Sequence, residues 1–426
     1  MWDKLKTAWK IPEARNGMLF VLGMMVLFRV SAHVPLPGVD AAALQRFFEA
    51  NQVLGLLSLF SGGTLANFSV VALGVAPYIT SSIIFQLMGM IFPQIEEIQK
   101  EGESGRQRIN QWTRIATVPL AVIQGFSLIS LLRSQGANIL TRTDALHLAT
   151  ITVTVTAGTI FLMWIGELIS EKKVGNGMSL LIFAGIVVNL PQIVQRAFIS
   201  YDSSQLISWI AYALVAVITV VGVVFITEGQ RNVPVQYARQ VRGGAAGSGG
   251  SATHLPLRVS MAGVIPIIFA VSILLVPTLI GQFFVRARTQ WVADAANHVI
   301  TFVQNQTMYG ILYFTFVVAF TYFYTAVIFK PEQVAENLQK QGGFVPGIRP
   351  GVPTAEYLNA VLTRITLAGA VFLGVIAVMP VVIQAYTGSR NFAIGGTSLL
   401  IIVSVVIETV KQIESQATMR EYDAYG

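Results

Sequence analysis

The chain has 426 residues, of which 54% are hydrophobic and only 12% charged, with 28 Lys and Arg against 21 Asp and Glu. A soluble protein carries about 25% charged residues, so a water-soluble globular class is excluded, and the lack of cysteine excludes disulfides and thiolate metal sites. The four histidines show no ligand spacing, and the apolar residues gather in blocks long enough to cross a bilayer.

The N-terminus, MWDKLKTAWKIPEARN, lacks the continuous apolar core of a signal peptide. Trp2, Leu5 and Trp9 share a face with Lys4, Lys6 and Lys10 around them, which reads either as a short surface helix on the membrane or as a solvated tail. Ten blocks then qualify as spans, near 17–35, 72–92, 115–133, 150–169, 178–194, 206–227, 262–284, 309–329, 361–382 and 397–413. The expected fold is therefore an all-α polytopic membrane protein with ten transmembrane helices. Basic residues set its orientation. One set of loops holds 20 Lys and Arg, including all nine lysines; the other holds 7, and Arg29 lies within the first span. Both termini are expected on the cytoplasmic side. The long cytoplasmic loop after the sixth span contains GGAAGSGGSA (243–252), a flexible linker composition with no packing content.

The segment Gly55–Phe92 is too long for one span. As a single helix with Val53 and Leu54 it would run ~60 Å, against a bilayer core of ~30 Å. Residues 72–92 satisfy the span, leaving GLLSLFSGGTLANF on the outer side, broken at Gly62 and Gly63. Two readings remain open: a half-helix dipping into a protein-lined cavity as a stopper, or an ordinary interfacial helix. One internal echo is present. Gly74-Val75-Ala76-Pro77-Tyr78-Ile79 and Gly263-Val264-Ile265-Pro266-Ile267-Ile268 both read G-V-x-P-x-I and sit five spans apart, as an inverted repeat of spans 1–5 on spans 6–10 would produce.

Catalytic signals are absent. No Asp or Glu lies at mid-membrane depth; Glu167, Glu228 and Glu408 fall near cytoplasmic ends. An ion-coupled transporter generally needs a buried polar site at mid-depth. Gly175-Asn176-Gly177 is too short for a nucleotide site, and Arg29 is read as structural. No enzymatic activity and no cofactor are expected.

Several longer motifs carry a resemblance. FSGGTL followed by ALGVAPYITSSIIFQL, then KEGESGRQRINQWTR, FLMWIGELISEKKVGNGMSLLIFAGIV, THLPLRVSMAGVIPIIFA, ENLQKQGGFVPGIRPG and GGTSLLIIV are similar, in that order, to stretches of the SecY family, the central subunit of the protein-conducting channel. The bacterial form fits best, chiefly through FVPGIRPG. The resemblance implies two halves closing like a clamshell: a cytoplasmic N-terminus (1–16), a first half (17–194) with a re-entrant plug near 55–68, a hinge (195–205), a second half (206–413) with loops 228–260 and 330–360, and a cytoplasmic tail (414–426). It implies a plug at Leu56, Leu57, Leu59, Phe60, Ser61, Gly62, Gly63, Thr64 and Leu65. It implies an apolar pore ring of Val75, Ile79, Met178, Ile182, Ile268 and Ile401, sealing by dewetting. It implies a lateral gate between spans 2 and 7, with Thr80, Ser81, Ser82, Gln86, Ile268 and Ser272 at its edges, some bonding across the closed gate. Arg349, flanked by Gly347 and Pro350, would dock the motor SecA or the ribosome, with Arg239 and Arg242 assisting. The remaining partners implied are SecE, SecG, accessory Sec membrane proteins, signal peptides, nascent polypeptides and the lipid bilayer. An inverted-repeat secondary transporter is the alternative, and a poreless insertase or scaffold is a third.

Overall fold

The computed structural model describes residues 9, 11–40, 43–44, 64–65, 67–134, 144–199, 206–237, 252–261, 263–285, 289–387 and 395–425. Each of the ten expected spans falls on a helix: α1 (Pro12–Ala32), α2 (Ala76–Ile91), α4 (Glu103–Ser134), α5 (Ala145–Glu171), α6 (Gly177–Ile199), α7 (Leu206–Glu228), α8 (Ile265–Phe284), α10 (Gln306–Ile328), α12 (Val352–Thr387) and α13 (Gly395–Tyr425). Three further helices lie between them: α3 (Pro93–Lys100), α9 (Gln290–Gln304) and α11 (Pro331–Lys340). Among the described residues, five stretches are long and apolar enough to cross a bilayer unaided: Pro12–Ala32, Glu103–Arg133, Ala145–Glu171, Gln306–Lys340 and Val352–Ile383. The pair α2 and α3 would make a sixth, but it bends by 103°. Pro93 causes the bend: it pushes Phe92 into extended backbone (φ −106, ψ 113), where the helix cannot continue.

The second span begins later than its hydropathy suggests. Gly74 takes φ +58, which no branched residue adopts cheaply, so α2 starts only at Ala76 with Val75 as its N-cap. Gly263 has the same φ of +58, and Val264 caps α8 with nearly the backbone of Val75 (φ −89, ψ −10 against φ −94, ψ 3). Pro77 and Pro266 both occupy the first turn, where a missing N–H costs nothing. The G-V-x-P-x-I echo is thus a repeat of local structure as well as of letters.

Packing divides into three cores. The largest takes residues from both halves, among them Phe28, Ile165, Leu181, Ile267, Tyr313, Leu373 and Leu400. A second gathers Leu36, Leu65, Phe68, Leu73, Leu128 and Ile151 around the turns that precede α2. Those turns are tied to the end of the first span: the Leu36 N–H donates to the Phe68 carbonyl at 3.0 Å, and Val70 N–H to Val34 at 3.0 Å.

The third core belongs to a small sheet set beside the otherwise helical fold. Strands β1 (Gln230–Tyr237), β2 (Ala252–Arg258) and β3 (Gly343–Phe344) form an antiparallel sheet in the order β2-β1-β3, with Gln230 opposite Arg258 and Tyr237 opposite Gly343. Val233 and Val235 point inward while Pro234 and Gln236 face out, the period-two pattern of a half-buried strand. Val233, Leu257, Val345 and Leu358 make the core, with Ile348 and Tyr357 packed on it. The two long loops on the lysine-rich side are therefore one folded unit. Residues 243–251 of the Gly/Ser stretch lie outside the described residues.

Candidate pore and gate

The motif repeat places the first two site residues. Ile79 and Ile268 occupy the same position in the two copies, and each N–H donates to the carbonyl of its capping valine, Val75 (3.0 Å) or Val264 (3.3 Å). The next two come from α6. Asn176 caps this helix, its Oδ1 accepting from the N–H of Met178 (3.1 Å) and Ser179 (3.2 Å). The Gly177 backbone meets the Gly166 carbonyl of α5 so closely that a Cβ there would collide with it. Gly175-Asn176-Gly177 therefore serves a tight α5–α6 crossing. That crossing aims Met178 and Ile182, one turn apart, in a common direction.

These four side chains converge. Ile79, Met178, Ile182 and Ile268 all line one cavity of about 460 Å³, shared by α2, α4, α5, α6, α8 and α10. Phe269 and Ile265 extend the apolar wall. Val75 and Ile401 belong to the same core and are buried at 5% and 0% exposure, but they are not among the residues lining the cavity. The rest of the lining is polar or tyrosine: Tyr78, Ser82, Gln86, Asn110, Arg114, Glu167, Ser170, Glu171, Asn176, Ser179 and Tyr324. Arg114 Nε donates to Glu167 Oε1 at 2.6 Å, joining spans 3 and 4 at the charged part of the wall. The cavity thus carries both aliphatic and polar side chains.

Sequence reasoning missed Arg114, Tyr78, Phe269 and Tyr324 on this wall. Arg114 and Glu167 were visible as rare charges near span ends, but their partnership depends on which helices are neighbours.

The expected gate residues separate into two groups. Helix α8 packs on both α2 and α4. Ser82 and Gln86 face the cavity and bond to each other, Gln86 Nε2 donating to Ser82 Oγ at 2.9 Å. Ser81 is turned away, its hydroxyl donating to the Thr113 carbonyl of α4 at 2.8 Å. Thr80 donates to Ala76 O at 3.0 Å and accepts from Gln124 of α4 at 3.5 Å. Ser272 donates to the Ile268 carbonyl at 2.9 Å, within its own helix. Among the described residues no side-chain hydrogen bond joins α2 to α8. The physical reason is that a hydroxyl on an apolar helix finds a carbonyl of its own or a packed neighbour's backbone before reaching a more distant partner.

Leu56, Leu57, Leu59, Phe60, Ser61, Gly62 and Gly63 lie outside the described residues. Thr64 and Leu65 are fully buried, Leu65 in the second core and Thr64 donating to the Ala72 carbonyl at 3.3 Å. Arg239 and Arg242 also lie outside the described residues. Arg349 is exposed on a braced turn. Gly347 and Gly351 take φ +83 and +96, the Ile348 N–H donates to Val345 O at 3.0 Å, and Thr354 Oγ donates to the Arg349 carbonyl at 2.8 Å.

Comparison with known proteins agrees with this architecture. The family model described as SecY matches residues 69–410. The protein translocase subunit SecY of Streptomyces scabiei is 42% identical over 434 residues, covering 98% of each chain. That of Mycobacterium tuberculosis (strain ATCC 25618 / H37Rv) is 41% identical over 432 residues, covering 97% of each. Among solved structures, a protein-conducting channel superposes with a TM-score of 0.61 at 15% identity, covering 93% of this chain and 91% of that one. Sec61 from a canine ribosome–channel complex gives 0.59 at 16% identity, with the same coverages. At such identities the structures speak for the fold alone; the sequence matches carry the assignment. The chain belongs to the SecY family.

Proposed function

We propose that this chain is the pore-forming subunit of a protein-conducting channel, passing unfolded secretory proteins across a bacterial plasma membrane and releasing membrane helices sideways between α2 and α8. One observation carries the reading: Ile79, Met178, Ile182 and Ile268, from three helices and both halves, meet on one cavity that polar side chains also line. A narrow aliphatic constriction repels ions by dewetting, and it can part around a polypeptide without offering sequence-specific bonds. Val75 and Ile401 complete the ring when the halves move. Met178, unbranched and flexible, makes its part of the seal adaptable. Gate closure rests on apolar contact between α2 and α8, with Ser82 and Gln86 at the water side; an entering apolar signal helix replaces like with like. The transporter alternative gains nothing from the cavity's ion pair, Arg114–Glu167, which lies among its polar lining.

The plug spans residues 55–68, hinged on the buried Thr64 and Leu65. The halves are 17–194 and 206–413, joined at 195–205, with 1–16 and 414–426 on the cytoplasmic side. The channel itself is passive. SecA, with ATP, or the ribosome drives it, docking at Arg349 with Arg239 and Arg242 assisting. SecE clamps the halves, SecG lies at the periphery, and accessory Sec membrane proteins join the complex.

The test uses the natural absence of cysteine. Single cysteines at Ile79, Ile182 and Ile268 should crosslink to a secretory chain arrested in mid-export, while one at the exposed Val217 should not. Equal labelling at Val217, or none at the three isoleucines, overturns the reading.

A further inference from the structure

Helix α9 joins α8 to α10 on the side poor in lysine, and its surface divides into three sectors. Ala296, Ile300 and Val303 are buried; at about 100° per residue they fall within an arc of about 60°. Trp291, Val299 and Phe302 are apolar yet 73%, 44% and 51% exposed, and Ala295 is exposed between them; they share a second arc of about 80°. Asp294, Asn297, His298 and Thr301 are exposed and polar on a third. A helix resting on protein in water needs two sectors. A third, apolar and unpartnered, implies a third medium.

We propose that this face lies in the outer leaflet of the bilayer, making α9 an interfacial anchor for the outer end of α8. Continuity identifies the medium. α9 packs on α8 and α10, both apolar helices. Ile280 and Phe284 of α8 and Met308 and Ile311 of α10 are exposed, as lipid-facing residues are. An apolar stripe headed by tryptophan, beside a polar stripe, is the composition of a helix lying in the membrane plane, and tryptophan favours the headgroup level. The anchor is rigidly attached. A Cβ at Gly281 of α8 would lie 2.9 Å from Ile300 Cγ1, so glycine alone permits this approach, and α9 moves with α8. Where α8 is the gate helix, a reading taken from the proposed function, opening the gate shifts this face through the headgroup layer.

The test places single cysteines at Ala295, Val299 and Phe302, and at Asp294 and Asn297 as controls, each carrying an environment-sensitive fluorophore. The full chain with its co-purifying subunits is reconstituted into vesicles of phosphatidylethanolamine and phosphatidylglycerol. Spin-labelled lipid with a shallow acyl label should quench the first three several-fold more than aqueous iodide does, and iodide should dominate at the controls. If iodide quenches all five alike, the face is in water and the anchor is wrong. If neither agent reaches the first three, protein covers the face, a second copy or a partner, and the anchor is equally wrong. Ala295 guards against a misfolded large-to-small variant. Export measured on the same vesicles separates this outcome from the channel reading: intact export with a water-exposed face removes only the anchor.

Discussion

Asn176 shows how much a single side chain decides near the pore. Its carboxamide caps α6 at the residue that aims Met178 into the cavity. Asn176→Ala should lower stability by about 1 kcal/mol, the usual worth of such a cap, while Asn176→Asp keeps it; thermal unfolding in detergent distinguishes the two. Arg349 makes the complementary case. It is exposed, and its turn is held by Thr354 and two left-handed glycines, so its charge can change without cost to the fold. Arg349→Glu should reduce motor-driven or ribosome-driven export several-fold and leave the empty channel's conductance unchanged. Unaltered export would refute docking at this turn. Both residues stood out in the sequence for glycine and proline neighbours. What Asn176 does was not legible, because the Gly177–Gly166 contact joins two helices through space.

At the scale of elements, the segment before α2 bears on the stopper. Removal of Leu56–Leu65 would delete Leu65, 1% exposed in the second core; losing a buried leucine costs about 2–5 kcal/mol, confounding any leak with misfolding. Deleting Leu56–Gly63 alone spares Leu65. It should yield a folded channel that passes small ions in planar-bilayer recordings, and a conductance equal to wild type would leave no role for the segment as a seal. The crossing of α5 and α6 admits a second test: Gly177→Val forces a side chain into the Gly166 carbonyl and should prevent recovery of a monodisperse protein, whereas Ser272→Ala, on a hydroxyl bonded within α8, should shift the melting temperature little. Helices were easy to place by hydropathy, since a span must satisfy its own backbone. The sheet was not, because β1 and β2 are separated by a glycine-serine stretch and β3 lies some 85 positions beyond β2 in a different loop. Val233 and Val235 did alternate, but two positions are too few against ten apolar blocks.

On the scale of the whole molecule, the two capped motif copies give the fold its symmetry. Gly74 and Gly263 share one left-handed backbone, and Ile79 and Ile268 land on one cavity from opposite halves. Replacing either glycine by a β-branched residue imposes a left-handed conformation costing roughly 1–2 kcal/mol. Gly74→Val and Gly263→Val should therefore destabilise to similar extents, read as matched falls in melting temperature. A large inequality would mean that the two copies do not bear equal structural roles. The sequence alone determined the class, the places of ten helices, the asymmetry of charge and the motif pair, since hydrophobicity and turn chemistry are local properties of consecutive residues. Tertiary structure alone decided which expected residues share the cavity, that Ser81 faces α4 and not α8, and that two distant loops make one sheet. Those outcomes depend on which helices become neighbours and at what rotation, and that is set by side chains packing against partners far away along the chain.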